Sequence, residues 1–121
     1  MQYMLLLYSD EKAWATFSPA EQKAGLEQYA AYGEALRKAG AYVASDRLRD
    51  IKTATTVTVV SSKPQVMDGP FADTKEQLGG YYLIEAKSLD EAITWAARCP
   101  GASHGHVEVR PVWPMAGRAD G

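Results

Sequence analysis

The first strand-length segment of this chain, Gln2 to Ser9, is apolar on both faces. Under period-two alternation Tyr3, Leu5 and Leu7 fall on one side and Met4, Leu6 and Tyr8 on the other. A strand that is half exposed alternates apolar with polar residues, so this one demands cover on both sides. Tyr81 to Ile84 repeats the pattern. Whatever sheet these two strands share must be buried from above and from below.

The rest of the chain offers two helices for that task. Ser18-Pro19-Ala20-Glu21 is a helix start: Ser18 can cap, Pro19 suits the first helical position and Glu21 can close a capping box. Leu26, Tyr29, Gly33 and Leu36 then share one face, and Gly40 stands where a left-handed C-terminal cap is wanted, so the spacing predicts a helix to about Ala39. Ser88-Leu89-Asp90-Glu91 reads as a second capping box, followed by the stripe Leu89, Ala92, Ile93 and Ala96 and stopped by Pro100-Gly101. Strands are expected at Ala41 to Ala44, Thr53 to Ser61, Gln65 to Met67, Tyr81 to Ala86 and about His106 to Val112, with a turn at Ser62-Lys63-Pro64. Two helices acting as crossovers over one sheet face give an α+β, ferredoxin-like split β-α-β fold with an inserted hairpin. They cover only one face. The other falls to a long loop or a second chain, and a homodimer with sheets face to face is expected.

A chain of 121 residues makes one domain with a sizeable core. A net charge of -2 gives no electrostatic footprint for nucleic acid or an anionic membrane. The lone Cys99 cannot form an internal disulfide, and the chain starts directly in an apolar run of strand length without a basic flank, so a cytoplasmic location is expected. No apolar segment approaches the roughly 20 residues a spanning helix needs.

The chemistry gathers in Asp68-Gly69-Pro70-Phe71-Ala72-Asp73-Thr74-Lys75-Glu76-Gln77-Leu78-Gly79-Gly80-Tyr81-Tyr82. A Gly before Pro is pushed toward extended geometry, Pro70 fixes its own φ, and Phe71 can anchor the turn in apolar surroundings. Asp68 can bond turn amides and Asp73 or Thr74 can cap a short helical turn, which would make these charges folding chemistry alone. On a functional reading Asp68 or Glu76 lines a cleft beside the sheet, where partial burial suits a carboxylate to proton transfer, and Gly79-Gly80 lets a backbone or ligand come close. Asp68 and Glu76 are the candidate catalytic residues. Asp73, Lys75, Tyr81 and Arg110 are the candidate ligand contacts.

This stretch resembles the DGPF signature, DGPFAETKEQLGG, of YCII-related proteins, with Asp73 where the motif has Glu. The resemblance continues through Leu83-Ile84-Glu85, the helix from Leu89 to Arg98 and Val107-Glu108-Val109-Arg110-Pro111. It implies a single YCII-related domain over 1–113 with a tail over 114–121, of the dimeric α+β barrel type. It also implies a functional link to extracytoplasmic-function (ECF) sigma factors. Some relatives carry a His and Asp pair with the His near the start of the first helix. Here that helix begins Ser18-Pro19-Ala20-Glu21-Gln22, so the pair is not carried over.

His104 and His106 are two apart, yet no further His or Cys ligand set accompanies them, and no metal or cofactor is expected. His106, Glu108 and Arg110 share one face of the last strand, where they either line a pocket or form ordinary cross-strand ion pairs. Cys99 at a helix C-terminus is poorly placed for thiolate activation. The reading that results is a small homodimeric ligand-binding or signalling accessory protein. The alternative is a small enzyme doing acid/base chemistry on a polar molecule with the signature-loop carboxylates.

Overall fold

The computed structural model describes residues 1–115; the tail expected from residue 114 lies, from 116 on, outside the described residues. Strand β1 (Gln2–Ser9) leads into a short helix α1 (Glu11–Ala15) and the long helix α2 (Pro19–Lys38). Strand β2 (Tyr42–Arg47) precedes the hairpin β3 (Thr55–Val60) and β4 (Lys63–Asp68). Then come β5 (Gln77–Glu85), α3 (Leu89–Arg98) and β6 (His106–Pro111). Four strands form an antiparallel sheet in the order β2-β5-β1-β6, while β3 and β4 form a sheet of their own. Each helical crossover thus skips one strand, which is the ferredoxin-like split β-α-β arrangement with a hairpin inserted between β2 and β5.

Local chemistry sets the boundaries. Ser18 Oγ accepts from the Glu21 amide at 3.1 Å and Glu21 Oε1 accepts from the Ser18 amide at 2.9 Å, the full capping box. Those bonds hold the Glu21 carboxyl below its usual pKa, the Ser18 backbone amide contributing most. Gly40 ends α2 with φ +71°. At α3 the Ser88 hydroxyl caps the Glu91 amide at 3.2 Å, but the Glu91 carboxylate accepts from Lys87 N instead of closing the box on Ser88. Helix α1, capped by Asp10 on the Lys12 amide, was not expected from the sequence.

The core lies between the helices and one sheet face. Tyr3 and Leu5 from β1 and Tyr82 and Ile84 from β5 meet Tyr32 and Leu36 of α2 and Ala92, Trp95 and Ala96 of α3. Both buried stripes follow the i, i+3, i+4, i+7 pattern: Tyr29, Tyr32, Gly33 and Leu36, then Ala92, Trp95, Ala96 and Cys99. Leu26, Leu89 and Ile93, expected on these faces, are exposed instead. The aromatic rings explain the shift, because Tyr32 packs edge-on against Tyr82 at 5.1 Å and against Trp95 at 6.2 Å. The Tyr32 hydroxyl donates to the Trp95 carbonyl at 2.7 Å, so its burial leaves no polar atom unpaired.

Among the described residues the second face of the sheet carries no helix. Direct cross-strand partners point to one side, so the register places Met4, Leu83 and Ala44 in one row, Leu6, Tyr81 and Asp46 in the next, and Tyr8 with Leu78 in a third. Along edge strand β6 those rows end in Arg110, Glu108 and His106. An apolar strip down β1 and β5 is therefore flanked by polar edges. No helix among the described residues is long and apolar enough to cross a membrane.

Candidate functional site

The signature loop takes its shape from three constraints. Gly69 sits at φ +98°, a conformation side chains rarely adopt, rather than the extended geometry expected before Pro70. Its amide donates to the Ala54 carbonyl at 2.8 Å and its carbonyl accepts from the Thr56 hydroxyl at 2.7 Å, tying the loop to the root of the β3–β4 hairpin. At the other end the Gln77 side chain donates to the Thr74 carbonyl at 2.8 Å and accepts from the Glu11 amide at 3.0 Å. No helical turn forms between, and Phe71 is 89% exposed, so it does not anchor the loop.

The two glycines that follow divide their work. Leu7 pairs with Gly80 and Tyr8 with Leu78, leaving Gly79 as the extra residue of a β-bulge. Gly80 admits the β2 backbone: a Cβ there would stand 2.7 Å from the Asp46 carbonyl oxygen. The close approach expected at this pair is thus made by the chain itself.

Between the loop, the β2–β3 connection and the bare sheet face lies a cleft of about 520 Å³. Leu48, Ile51, Pro70, Ala72 and Leu78 supply apolar walls. Arg49, Thr53, Thr74, Gln77 and Tyr8 bring polar groups to the same space. Asp50 also borders it, but its carboxylate caps the Lys52 amide at 3.1 Å, and the neighbouring Ile51 amide is held by the Glu11 carboxylate at 3.1 Å. The Arg49 guanidinium makes no ion pair among the described residues, which leaves it free for a ligand.

The residues picked out from the sequence fall in several places. Glu76 Oε1 lies 2.8 Å from His106 Nδ1, joining the signature loop to edge strand β6. His106 stands opposite Tyr8, a cleft residue, in the β1–β6 register. Tyr81 donates to Asp46 Oδ2 at 2.6 Å on the bare face, and that bond raises its pKa. Arg110 is exposed on β6 beside Met4. Asp68, Asp73 and Lys75 are exposed, line no part of the cleft and have no side-chain ion pair among the described residues. His104 packs edge-on against Phe17 at 6.4 Å, so the two histidines serve different neighbours. Burial lifts the pKa of the Cys99 thiol, against any nucleophilic role.

Sequence reasoning missed Arg49 and the turn at Ile51–Thr53, and began the strand at Thr53 where β3 starts at Thr55. Their only local signal is an Asp-Arg-Leu-Arg-Asp run, Asp46 to Asp50, that reads as a solvated surface.

The model of the YCII-related domain matches residues 1–116. The chain belongs to the YCII-related family. A relative within reach of direct alignment is an uncharacterized protein of Rhizobium meliloti (strain 1021), 39% identical over 114 residues that span 93% of this chain and 92% of the relative. Among solved structures, the 5-chloro-2-hydroxyhydroquinone dehydrochlorinase of Burkholderia phenoliruptrix AC1100, in complex with 2,5-dihydroxybenzoquinone, is similar over 96% of both chains. The identity is 17% and the TM-score 0.48, a likeness that carries no argument about the chemistry of this YCII-related chain.

Proposed function

We propose that this YCII-related protein is a homodimeric binder of a small anionic molecule, held in the cleft between the signature loop and the bare sheet face. The observation that carries the reading is the cleft itself: its volume of about 520 Å³ falls within the range of small-molecule sites, with apolar walls and few polar groups. Arg49, whose guanidinium has no partner among the described residues, can match a carboxylate in a two-pronged bond, while the Asp50 carboxylate beside it is engaged by the Lys52 amide. The dimer reading rests on the apolar strip formed by Met4, Leu6, Tyr8, Leu78, Tyr81 and Leu83, with charged residues at its margins, which is the anatomy of a protein interface. On this reading the link to ECF sigma factors is a signalling role in which the bound ligand is the input.

A thermal-shift screen of small carboxylates against wild type and Arg49→Ala tests the binding site. A compound that raises the melting temperature of wild type and not of Arg49→Ala supports it. Equal shifts in both proteins reject Arg49 as the anchor.

One observation favours a second reading, acid/base catalysis. The Glu76 carboxylate bonds one nitrogen of His106, whose side chain is otherwise exposed, a carboxylate-to-imidazole arrangement of the kind that orients a general base. Turnover of the screened ligand that disappears in both His106→Asn and Glu76→Gln, with binding retained, would establish an enzyme. Binding without turnover in wild type would leave the binder.

A further inference from the structure

The β3–β4 hairpin is an anomaly among the described residues. It packs extensively on no other strand or helix, although a lone two-stranded hairpin is at best marginally stable in water. Its register puts Val57, Val59, Pro64 and Val66 on one face, with Thr55 and Asp68 at its root, and Val57 and Val59 are 60% and 63% exposed. The opposite face carries Thr56, Thr58, Gln65 and Lys63 with Met67 and Val60. One face is apolar and the other mixed, as in an element that lies on a surface.

The two edges differ as well. The Ser61-Ser62 turn has φ +51° and +66°, a two-residue connection that makes Val60 and Lys63 a hydrogen-bonded pair. Alternation then turns the amides of Thr55, Val57 and Val59 outward on β3, while the outward positions on β4 are Pro64, Val66 and Asp68, of which Pro64 has no N–H and Asp68 carries a charge. Proline blunts one edge. The β3 edge is six β-branched residues with no charge from Thr55 to Ser62, the form of an edge meant to be paired.

We infer that this hairpin is an intersubunit arm whose apolar face and free β3 edge dock on a second copy of the chain. Area favours a copy over a small partner: Val57, Val59 and Val66 on the apolar face each leave on the order of 100 Å² free, or roughly 300 Å² per arm. Two symmetry-related arms and the surfaces they cover reach about 1,200 Å², the lower end of the size of a specific interface. Charge agrees, because an uncharged edge meets its own copy without repulsion. The arm's root, through Ala54 and Pro70, is also a wall of the cleft, so docking ties assembly to the site.

The test compares charges placed on the two faces of one strand. Light scattering of purified protein at micromolar concentration should give a dimer for wild type and for Thr58→Lys, and half that mass for the double variant Val57→Lys/Val59→Lys with unchanged circular dichroism. Because the double variant can also fail to fold, p-benzoylphenylalanine at Val59 provides a second readout: irradiation should yield a covalent dimer. A monomeric wild type, an unchanged mass in the folded double variant, or irradiation without a covalent dimer overturns the proposal. A monomeric Leu6→Asp beside a dimeric Val57→Lys/Val59→Lys would place the contact on the sheet alone and overturn it too.

Discussion

Gly79 and Gly80 are adjacent and chemically identical, yet alanine should be tolerated at one and not at the other. A Cβ on Gly80 would lie 2.7 Å from the Asp46 carbonyl oxygen and 3.5 Å from the Arg47 Cα. Both are backbone atoms of β2, paired with β5 through Asp46 to Tyr81 and Arg47 to Gly80. The contact cannot be relieved by a side-chain rotation. Either β2 moves away, weakening its ladder and the Tyr81–Asp46 bond, or β5 buckles at a buried position. Overpacking of this kind costs about 2 kcal/mol. For a chain of this length that is a fall of about 8 °C in melting temperature. At Gly79 nothing lies within 4 Å and the backbone is outside the left-handed region, so Gly79→Ala should stay within about 0.5 kcal/mol of wild type. Urea unfolding of the two variants decides the matter. Equal midpoints, or a larger loss at Gly79, would refute the view that β2–β5 approach is why glycine stands at position 80.

Other expectations are more local. Ser18→Ala should cost about 1 kcal/mol by denaturation at neutral pH through loss of the N-cap bond. Glu21 contributes through a lowered pKa, so its share is present above the unfolded carboxyl's pKa and lost as pH falls through the folded value; the Ser18→Ala penalty should shrink in acid. Burial pushes Tyr29 and Tyr82 up to about 12, and Tyr32 is also raised. Their neutral phenols stabilise the fold fully below the unfolded value of about 10, and this is lost as pH rises from there through the folded values. Ultraviolet titration should show these rings ionising late, together with alkaline unfolding; tyrosines that all ionise near the unfolded value in a folded protein would contradict the burial. Tyr32→Phe should cost about 1 kcal/mol in urea, since the Trp95 carbonyl loses its donor.

What the sequence disclosed depended on how local the cause was. Ser18 and Gly40 signal the ends of α2 through bonds and dihedrals within a few residues, and the apolar runs of β1 and β5 were legible as strands, with Tyr3, Leu5, Tyr82 and Ile84 buried against the helices. The helix stripes were legible in period but not in membership: Leu26, Leu89 and Ile93 fit the spacing, while the core chose Tyr32 and Trp95 because two large rings interlock there. Helix α1 is a single turn and a half, too short for a periodic signal. Gly69 reads as extended before a proline, yet its bonds to Ala54 and Thr56 impose a positive φ that no local rule supplies. The site was the least legible part. Its cleft joins Tyr8, the 48–54 connection and the signature loop, segments brought together by strand order and by long-range bonds such as Gly69 to Ala54 and Leu48 to Gly79. The Glu76–His106 bond likewise spans 30 residues and follows from both strands flanking β1.

The most direct test of the cleft as the binding site is amide chemical-shift mapping with a small carboxylate taken from the thermal screen. Perturbations should cluster at Tyr8, Leu48 to Ala54 and Ala72 to Leu78, and should vanish for Arg49→Ala at the same ligand concentration. Perturbations confined to the helix side, around Gln28, Ala35 and Arg98, or an identical map for Arg49→Ala, would contradict the account.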